Sequence, residues 1–486
     1  MSLKRDLTRI SHHTKIVATL GPASSEVDIL EQMIRVGLNV VRFNFSHGTA
    51  AFHEENARKV REASERAGRQ VAIIADLQGP KIRVGKIENG RIDLVEGDTF
   101  ILDAAYKGEG NQQRVGLDYE NLPNDVAPGD ILLLDDGLLT LTVKKVDGSQ
   151  IHTIVENSAP LKSNKGINKQ GGGLSAPALT EKDMEDLKTA LAIGVDYVAI
   201  SFVKSASDME LARQLVMQGS SSAHNVQPGL IAKIERVEAI QNLEEIIKAS
   251  DGIMVARGDL AVEVGNAAVP ALQKQMISMA RKLRRFTITA TQMMESMIVN
   301  PVPTRAEVSD VANAVLDGTD AVMLSAESAV GKYPFETVRT MAIICQAAEK
   351  AEYPLENIDM NINSANRIDH VIAEGAVYAA RKINAKAIVA LTESGTTPFQ
   401  MSRYGVNIPV YALTSNVNVQ RKMAIYRGVR PMMLDVSKDQ ETAIQEVEAH
   451  LQFRGVVESG DLFVITSGMQ MHQQGATNTL QIYRAK

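Results

Sequence analysis

Short apolar runs rich in β-branched residues alternate with stretches of helical spacing over much of the chain. The helical stretches, such as residues 25–36 and 51–67, are rich in Ala, Glu and Lys. Short runs bounded by turn signals are typical of buried parallel strands. These predicted strands lie at residues 14–20, 40–45, 71–77, 197–203, 230–235, 252–257, 287–293 and 321–327. Eight strand–helix units predict an α/β fold with a closed (β/α)8 barrel.

The third strand–helix unit is interrupted. Residues 80–177 contain short alternating strands punctuated by Gly, and helical spacing resumes only at Thr180. The Thr-x-x-Asp sequence that begins there resembles a helix N-cap. We therefore predict a small all-β domain inserted in a βα loop. On the catalytic side of a barrel, such an insertion would act as a lid.

A second α/β pattern begins beyond residue 352. Candidate strands at 387–391, 409–413 and 461–466 alternate with candidate helices at 374–383 and 440–453, as in a doubly wound domain. The predicted domains are a barrel of residues 1–79 and 178–352, an inserted β-barrel lid domain of residues 80–177, and a C-terminal α/β regulatory domain of residues 353–486.

Polar side chains stand at the C-terminal ends of nearly all eight predicted strands, where barrel enzymes place their chemistry. Lys233 and Glu235 are two positions apart, so they point to the same face of their strand. The other polar groups at strand ends are Arg42, Asn44, Ser46, Asp76, Gly258, Asp259, Thr291, Gln292, Ser325 and Glu327. This distribution predicts an active site at that end of the barrel.

The residue types indicate the chemistry. Glu235 and Asp259 offer hard oxygen ligands for a divalent metal, and the Lys233 ammonium can neutralise a phosphoryl group. Arg42 can hold a phosphate oxygen in its guanidinium fork. Backbone amides at Gly258 and Asp259 suit a carboxylate. The implied substrate is small, carries phosphate and carboxylate, and is bound to a metal.

Two further groups of polar residues extend this site. Thr291 has a hydroxyl that could bond the substrate or relay a proton. Asn44, Ser46 and Asp76 form an all-oxygen group suited to a cation without strict geometry.

Composition narrows the class of protein. A formal net charge of -6 argues against a nucleic-acid-binding surface. The single cysteine, Cys345, excludes an intrachain disulfide and fits a reducing compartment. Residues 1–6 lack an apolar signal region, and no uninterrupted apolar segment is long enough to cross a bilayer. A cytoplasmic protein without membrane contact is expected.

The chain closely resembles the pyruvate kinase family. The resemblance rests on several long motifs in order, covers residues 14–350 and extends more loosely over the rest. The motifs are Asn39-Val-Val-Arg-Phe-Asn-Phe-Ser-His-Gly48, Asp76-Leu-Gln-Gly-Pro80, Asp135-Asp-Gly137, Ile231-Ala-Lys-Ile-Glu-Arg236, Ala256-Arg-Gly-Asp-Leu260, Ala290-Thr-Gln-Met-Met-Glu-Ser-Met297, Pro303-Thr-Arg-Ala-Glu307 and Met323-Leu-Ser-Ala-Glu327. The resemblance implies phosphoryl transfer from phosphoenolpyruvate to ADP, and a homotetramer.

The resemblance also implies roles for the residues at the strand ends. Glu235 and Asp259 would hold Mg2+ or Mn2+, and Arg42 and Lys233 would contact the phosphoryl group in transfer. Gly258, Asp259 and Thr291 would bind the substrate carboxylate. Thr291, acting directly or through water and Ser325, is the candidate for protonating enolpyruvate.

The inserted domain would contribute the nucleotide site. Arg83 and Lys165 would contact the nucleotide phosphates when the lid closes. Either Asp135 or Asp136 would be the partner in lid closure, and the sequence does not decide between them.

The chain departs from the common family pattern at Lys81. Many members that require K+ have Glu after the Gly-Pro of this motif, whereas Lys81 follows Gly79-Pro80 here. An ammonium near Asn44, Ser46 and Asp76 could replace the monovalent cation and repel it. We expect activity without K+. A solvated lysine with no such effect is the plain alternative.

A second departure lies in the C-terminal domain. The loop of residues 392–397 can cradle a phosphate where the family binds sugar-phosphate activators. Its residues are Thr392, Glu393, Ser394, Gly395, Thr396 and Thr397. Family members activated by fructose 1,6-bisphosphate usually add basic residues for the second phosphate, whereas this loop and the downstream segment 467–475 are poor in charge. We therefore expect a sugar monophosphate or an AMP-like activator. An ordinary strand–turn–helix connection is the alternative.

Two other functions compete with this interpretation. A metal-dependent aldolase or lyase of barrel fold would share the Arg, Glu and Asp residues, but it would not need a lid bearing Arg83 and Lys165. A non-catalytic sensor of sugar phosphates would be expected to lack the metal and phosphoryl residues, and the chain has all of them.

Overall fold

The computed structural model describes residues 11–219, 227–351, 367–405, 407–433, 440–468 and 477–486. The chain begins with three strands and two helices: β1 (Lys15–Thr19), α1 (Val27–Val36), β2 (Val40–Asn44), α2 (Ala50–Ala67) and β3 (Ala72–Asp76). Helix α1 ends at Gly37, whose φ of 137° requires glycine. These elements confirm the first three predicted strands and both predicted helices.

A β-rich insertion follows β3. Its elements are a 3-10 turn (Glu88–Gly90), β4 (Arg91–Leu94), β5 (Thr99–Asp103), β6 (Arg114–Gly116), α3 (Leu122–Asp125), β7 (Ile131–Leu134), β8 (Leu139–Asp147), β9 (Gln150–Val155), β10 (Ala159–Lys162) and β11 (Ile167–Lys169). Strands β11-β7-β8-β9-β5-β6 form one sheet and β10-β4 a second, with isolated bridges such as Arg83–Gly166 beside them. The insertion is therefore built from two separately hydrogen-bonded sheets around its own apolar core.

The remaining strand–helix units follow the insertion. They comprise α4 (Glu181–Ala192), β12 (Tyr197–Ile200), α5 (Ala206–Gly219), β13 (Gly229–Ile234), α6 (Val237–Gln241), α7 (Leu243–Ala249), β14 (Gly252–Ala256), α8 (Arg257–Val264), α9 (Val269–Lys282), β15 (Phe286–Ala290), a 3-10 turn (Glu295–Ile298), α10 (Arg305–Leu316), β16 (Ala321–Leu324), α11 (Ala326–Ala329) and α12 (Pro334–Glu349). The N-cap predicted at Thr180 is confirmed, because its hydroxyl accepts from the Asp183 amide in a capping box.

The predicted barrel is confirmed. Strands β1-β16-β15-β14-β13-β12-β3-β2 form a closed parallel sheet, so all eight predicted strands belong to it. One face of each strand fills the barrel interior with residues such as Ile74, Tyr197 and Phe286, and the other packs against the surrounding helices. The insertion leaves the barrel after β3, so it emerges at the C-terminal ends of the strands.

The C-terminal domain contains α13 (Ile368–Lys382), β17 (Ala387–Leu391), α14 (Thr396–Arg403), β18 (Val410–Thr414), α15 (Val417–Lys422), a 3-10 turn (Met423–Ile425), β19 (Val429–Met433), α16 (Gln440–Phe453), β20 (Leu462–Gly468) and β21 (Thr477–Arg484). Its sheet order is β19-β18-β17-β20-β21, parallel except for the antiparallel β20–β21 pair. Apolar clusters on both faces of the sheet confirm a doubly wound domain.

Sequence patterning missed two strands of this domain. Strand β19 includes Arg430 and Pro431, and β21 is an edge strand that alternates polar and apolar residues. Edge positions tolerate Pro and polar side chains because one side of the strand needs no ladder partner. Both strands therefore lack the continuous apolar run that marks a central parallel strand.

The C-terminal domain closes the N-terminal end of the barrel. Ala424 and Ile425 join the apolar cluster of the barrel interior. The Tyr197 hydroxyl, at the start of β12, donates to the Lys422 carbonyl at 2.8 Å. The opposite end, where the strand ends carry polar residues, faces the insertion. In the part of the chain that the structure describes, no helix is long and apolar enough to cross a membrane.

Candidate active site

A buried ionic cluster links three strand ends of the barrel. Asp76 lies opposite Asn44 in the β2–β3 register, and its Oδ2 accepts from Arg42 Nε at 2.6 Å. Lys233 Nζ lies 3.2 Å from Asp76 Oδ1 and 2.9 Å from Glu235 Oε1. Asp76 and Glu235 are each 1% exposed. The structure thus brings together four residues that the sequence assigned to one site.

Charge balance within this cluster differs between its two carboxylates. Burial raises the pKa of Asp76, but Lys233 and Arg42 outweigh it and leave that pKa below its ordinary value. Burial also raises the pKa of Glu235, and the charge of Asp259 adds to the rise despite the neighbouring Lys233. Glu235 is therefore the carboxylate whose negative charge is least compensated. A bound cation would compensate it.

Glu235 and Asp259 fit a divalent metal of the magnesium type. The Phe202 amide donates to Glu235 Oε2 at 2.7 Å, whereas Glu235 Oε1 is buried without a hydrogen-bond partner of good geometry among the described residues. No group of three or more His, Cys, Asp or Glu residues that could hold a metal occurs in the described ranges. Two carboxylates completed by substrate and water oxygens are a common arrangement for Mg2+.

Lys81 forms an ion pair with a residue of α8. Its Nζ is 3.4 Å from Asp259 Oδ1, so its contact is with a candidate metal ligand. The residues of the expected monovalent-cation group have partners within the protein. Asp76 is paired with Arg42 and Lys233, and Asn44 Oδ1 accepts a hydrogen bond from the Ser46 amide at 3.2 Å. Lys81 thus brings positive charge to Asp259, and its replacement of the monovalent cation stays a prediction.

Thr291 occupies a strained turn at the end of β15. Its φ of 66° is unusual for a β-branched residue, and Gln292 follows with a φ of 53°. The Thr291 hydroxyl accepts from the Gly258 amide at 2.8 Å and donates to the Ala290 carbonyl at 2.7 Å. The two residues expected to bind a carboxylate are therefore adjacent. A ligand there would compete with Thr291 for the Gly258 amide.

Arg257 holds this turn in place. It donates to the carbonyls of Ala290 and Thr291 at 3.1 and 2.7 Å. Asp310 binds the same guanidinium through both carboxylate oxygens at 2.7 and 2.8 Å. Sequence reasoning gave neither Arg257 nor Asp310 a role. The position of Arg257 directly before Gly258 was the available signal.

Two hydroxyls missed by sequence reasoning complete the ionic cluster. Ser201 Oγ accepts from Lys233 Nζ at 2.7 Å, and Thr19 Oγ1 accepts from Arg42 Nη1 at 2.9 Å. Both lie at or just after strand ends. Ser and Thr are too common at such positions to be recognised from sequence alone.

Ser325 follows β16, the neighbour of β15, and begins α11. Its amide donates to Glu327 Oε2 at 2.7 Å, and Glu327 Oε1 accepts from the Met294 amide at 3.2 Å. Glu327 thereby joins the segments that follow β15 and β16, which carry Thr291 and Ser325.

In the insertion, Arg83 and Lys165 lie on adjacent paired segments. Arg83 forms an isolated bridge with Gly166, and the Val84 amide donates to the Lys165 carbonyl at 2.9 Å. Lys165 Nζ is 2.7 Å from Oδ1 of Asp135, which is buried, whereas Asp136 is exposed. Of the two aspartates that the sequence left open, Asp135 is the one that contacts a predicted nucleotide-binding residue.

The predicted effector loop connects β17 to α14. Gly395 has a φ of 79°, and its amide donates to Thr392 Oγ1 at 2.9 Å. The Ser394 and Thr396 hydroxyls are 2.9 Å apart, and Thr397 bonds Thr477 of β21. The hydroxyl groups of Thr392, Ser394, Thr396 and Thr397 thus gather at the start of α14. Residues 469–475 of the downstream segment lie outside the described residues.

Buried cations and carboxylates lie at the C-terminal end of a closed (β/α)8 barrel and face an inserted β domain that carries more cations. This arrangement is typical of barrel enzymes that act on phosphorylated anions. Sequence comparison agrees. A profile described as pyruvate kinase, barrel domain, matches residues 11–338, and one described as pyruvate kinase, alpha/beta domain, matches residues 370–483. The chain belongs to the pyruvate kinase family and is a phosphotransferase.

Individual relatives are similar over nearly their full lengths. The chain is 49% identical over 484 residues to pyruvate kinase II of Salmonella typhimurium, covering 98% of this chain and 99% of the relative. It is 48% identical to the Haemophilus influenzae pyruvate kinase, covering 97% and 98%. A crystal structure of a pyruvate kinase from Cryptosporidium parvum is similar with a TM-score of 0.92 at 35% identity, covering 98% of this chain and 96% of that one.

Proposed function

We propose that this enzyme transfers the phosphoryl group of phosphoenolpyruvate to ADP, giving pyruvate and ATP, in the cytoplasm as a step of glycolysis. The observation that carries the proposal is the buried cluster of Arg42, Asp76, Lys233 and Glu235. Phosphoryl transfer needs positive charge fixed beside the oxygens that gain charge in the transition state. Lys233 and Arg42 are such charges, and their shared partner Asp76 fixes both.

The residues divide the chemistry between them. Lys233 Nζ would stay close to the moving phosphoryl group while the phosphorus–oxygen bond to enolpyruvate breaks and a bond to the terminal phosphate oxygen of ADP forms. Arg42 donates hydrogen bonds from Nε to Asp76 and from Nη1 to Thr19. Its Nη2 has no partner among the described residues and could donate to a phosphoryl oxygen. Arg83 and Lys165 would contact the phosphates of ADP from the insertion.

Glu235 and Asp259 would hold Mg2+ or Mn2+, which when bound would neutralise the phosphoryl charge and orient the substrate. Gly258 and Thr291 would bind the carboxylate. The enolate left after transfer takes a proton at carbon, and our proposed route for this proton runs from the Thr291 hydroxyl, directly or through water and Ser325. The strained turn that Arg257 holds would keep this hydroxyl in place.

The direct test measures pyruvate formed from phosphoenolpyruvate and ADP with Mg2+, first in K+-free buffer and then with K+ added. We expect ADP-dependent pyruvate and ATP in equal amounts. Pyruvate without ATP, or no product from folded protein supplied with a panel of phosphorylated activators, would contradict the proposal.

We further propose that turnover does not require K+. The Lys81 ammonium contributes positive charge at Asp259, and Asp76 in the expected cation group is already paired with two cations. An added monovalent cation would therefore meet little uncompensated negative charge there. Turnover only in the presence of K+ would contradict this.

A reversal of charge at Lys81 tests the same point. Lys81→Glu should lower turnover in K+-free buffer at least tenfold, and added K+ should restore part of it, because an extra carboxylate beside Asp259 needs a counter-charge. Lys86→Glu, at an exposed position of the same segment, is the matched control and should change neither rate. The same K+ response in both variants would contradict the role of Lys81.

We also propose that the loop of residues 392–397 binds a sugar monophosphate or an AMP-like activator in a homotetramer. Its hydroxyls and the start of α14 support a phosphate there. Ser394→Asp should abolish activation by phosphorylated sugars and AMP while leaving unactivated turnover within about twofold, because a carboxylate repels phosphate. Wild-type turnover that responds to none of these compounds would contradict the proposal.

A further inference from the structure

A second group of cations lies at the opposite end of the barrel from the active site, where the C-terminal domain meets it. We call Lys15, Arg69, Arg427 and Arg430 the interdomain cationic cluster. Lys15 begins β1, is 4% exposed, and donates from Nζ to the Val429 carbonyl at 2.6 Å. Arg430 is the next residue of β19, so barrel and C-terminal domain each contribute cations to one place.

In the part of the chain that the structure describes, every hydrogen-bond partner of these cations is uncharged. Arg69 donates to the Ile34 carbonyl at 3.1 Å, near the C-terminal end of α1. Arg427 donates to the carbonyls of Val315 and Thr319 at 3.3 and 2.8 Å, and Arg430 donates to the hydroxyls of Tyr411 and Ser11. Within the described ranges, none of the four has a carboxylate at ion-pair distance.

Among the described residues near these cations, Glu349 is the carboxylate that has no cation of its own. Glu349 accepts hydrogen bonds from the backbone amides of His13 and Thr14 at 2.8 and 2.6 Å, so both of its carboxylate oxygens already bind the segment that precedes β1. The nearby Asp320 is bound by Arg403. The cluster therefore carries an excess of positive charge.

The cations destabilise one another. Burial, and then the charges of Arg69 and Arg430, lower the pKa of Lys15 to about 7. Burial, Arg427 and Arg430 lower the pKa of His13 to about 3, which leaves that imidazole neutral and able to donate or accept a hydrogen bond. Lys15 is the buried member of the cluster, so the cost of the uncompensated positive charge falls mainly on it.

We propose that the interdomain cationic cluster is an anion site that binds a dianionic phosphoryl group, free or as the monoester of a small metabolite. Guanidinium groups bind phosphate oxygens in pairs, and the excess of cations over Glu349 favours a dianion over a single carboxylate. Arg69 is exposed and Arg430 is half-buried, so the site opens to solvent. It is separate from the loop of residues 392–397.

A ligand held by Lys15, Arg69 and Arg430 would contact β1, the segment before β3, and β19 together. Binding would therefore fix the C-terminal domain against the N-terminal end of the barrel. The site would link the concentration of a phosphorylated compound to the position of that domain.

Isothermal titration of the full chain with inorganic phosphate, and separately with glycerol 3-phosphate, tests the site. All proteins in this experiment carry Ser394→Asp, so that phosphate binding at the loop of residues 392–397 does not contribute to the measurement. Arg69→Gln and Arg430→Gln should each weaken one binding event roughly tenfold, and the double variant should bind one phosphoryl group fewer per chain. Arg91→Gln, an exposed arginine of the insertion, is the matched control and should bind as the background does.

Proton uptake gives a second readout. A dianion should raise the pKa of Lys15, so at pH 7 the heat of binding should depend on the ionisation enthalpy of the buffer, and this dependence should vanish in the double variant. The groups that surround Lys15 are His12, His13, Arg69, Arg427, Arg430, Asp320 and Glu349.

Turnover in the absence of added phosphate should be the same in the background, in the two single variants and in the double variant, which would show that their active sites are intact. The proposal is overturned if the double variant binds both probes with the stoichiometry and affinity of its background. Whichever probe binds more tightly identifies the source of the phosphoryl group.

Discussion

Lys233 is held by three oxygens, and their spacing fixes its ammonium in one position. Ser201 Oγ, Glu235 Oε1 and Asp76 Oδ1 lie 2.7, 2.9 and 3.2 Å from Nζ. Burial would lower the pKa of Lys233, but Asp76 and Glu235 outweigh it and raise that pKa, so the side chain stays charged. A fixed charge in a buried site stabilises a transition state without the cost of reorienting solvent. Sequence reasoning identified the charged members of this cluster because they stand at strand ends, but not the neutral Ser201.

Replacing Lys233 with Met should separate chemistry from binding. Lys233→Met removes the charge and keeps most of the side-chain volume, so turnover should fall at least ~100-fold, as when one transition-state donor is lost. Binding of phosphoenolpyruvate with Mg2+, followed by titration calorimetry, should weaken only a few-fold. Lys248→Met, on the exposed face of α7, is the control. Equal losses of turnover and binding would mean that Lys233 mainly positions the ground state.

The insertion is tied to the starts of barrel helices at both of its crossings. On the way out, the Gly79 amide donates at 3.0 Å to Asp183 of α4. On the way back, the Gly173 amide donates at 2.6 Å to Glu238 of α6. At the first crossing, Asp183 therefore both caps α4 and attaches the insertion. The Thr-x-x-Asp pattern predicted the cap of α4, but no local pattern could show that the same aspartate reaches Gly79.

Between these crossings, Glu263 of α8 lies in a small cavity lined by residues of both the insertion and the barrel. The lining includes Pro80, Ile167, Leu174, Phe202 and Arg236. Glu263 accepts from the Val237 amide at 2.9 Å. Burial raises its pKa from 4.5 to about 7, although the Val237 amide and Arg236 oppose the rise.

This shift makes stability depend on pH. Because the folded chain holds the proton of Glu263 more tightly than the unfolded chain does, stability should fall as pH rises from about 4.5 to about 7, by at most about 3 kcal/mol. Glu263→Gln should remove this contribution, which comparison of thermal midpoints at pH 5 and pH 8 would measure. Glu245→Gln, on the surface of α7, is the control. Identical pH profiles for wild type and Glu263→Gln would contradict the assignment.

At the scale of the whole molecule, the C-terminal domain seals the barrel end that the active site does not use. Besides Ala424 and Ile425 in the barrel interior, a buried ion pair crosses the boundary: Arg403 of α14 binds both oxygens of Asp320, which precedes β16. Arg403 and Asp320 are 1% and 2% exposed. Asp320 also accepts the Thr287 amide at 2.9 Å, so the pair is joined to the barrel sheet.

Breaking this pair should destabilise the chain strongly. Arg403→Met leaves Asp320 buried without its counter-charge and should cost about 3–5 kcal/mol of unfolding free energy, measured as a loss in thermal midpoint. Arg403→Met with Asp320→Asn should recover part of the loss, because the unpaired charge is gone. Arg381→Met, at the exposed end of α13, is the control. A midpoint for Arg403→Met equal to that of the control would contradict this role.

The sequence determined the eight barrel strands, the insertion after Asp76 and the charged residues at the strand ends. Periodicity and strand ends are local properties, and parallel closure brings strand ends together whatever the connecting loops do. Four features were visible only in the tertiary structure. They are the edge strands β19 and β21, the contact of Lys81 with Asp259, the Arg257–Asp310 pair that supports Thr291, and the proximity of Lys15 to the strand that carries Arg430. These are contacts between distant segments, and they depend on how domains and loops pack rather than on the residues next to them in the chain.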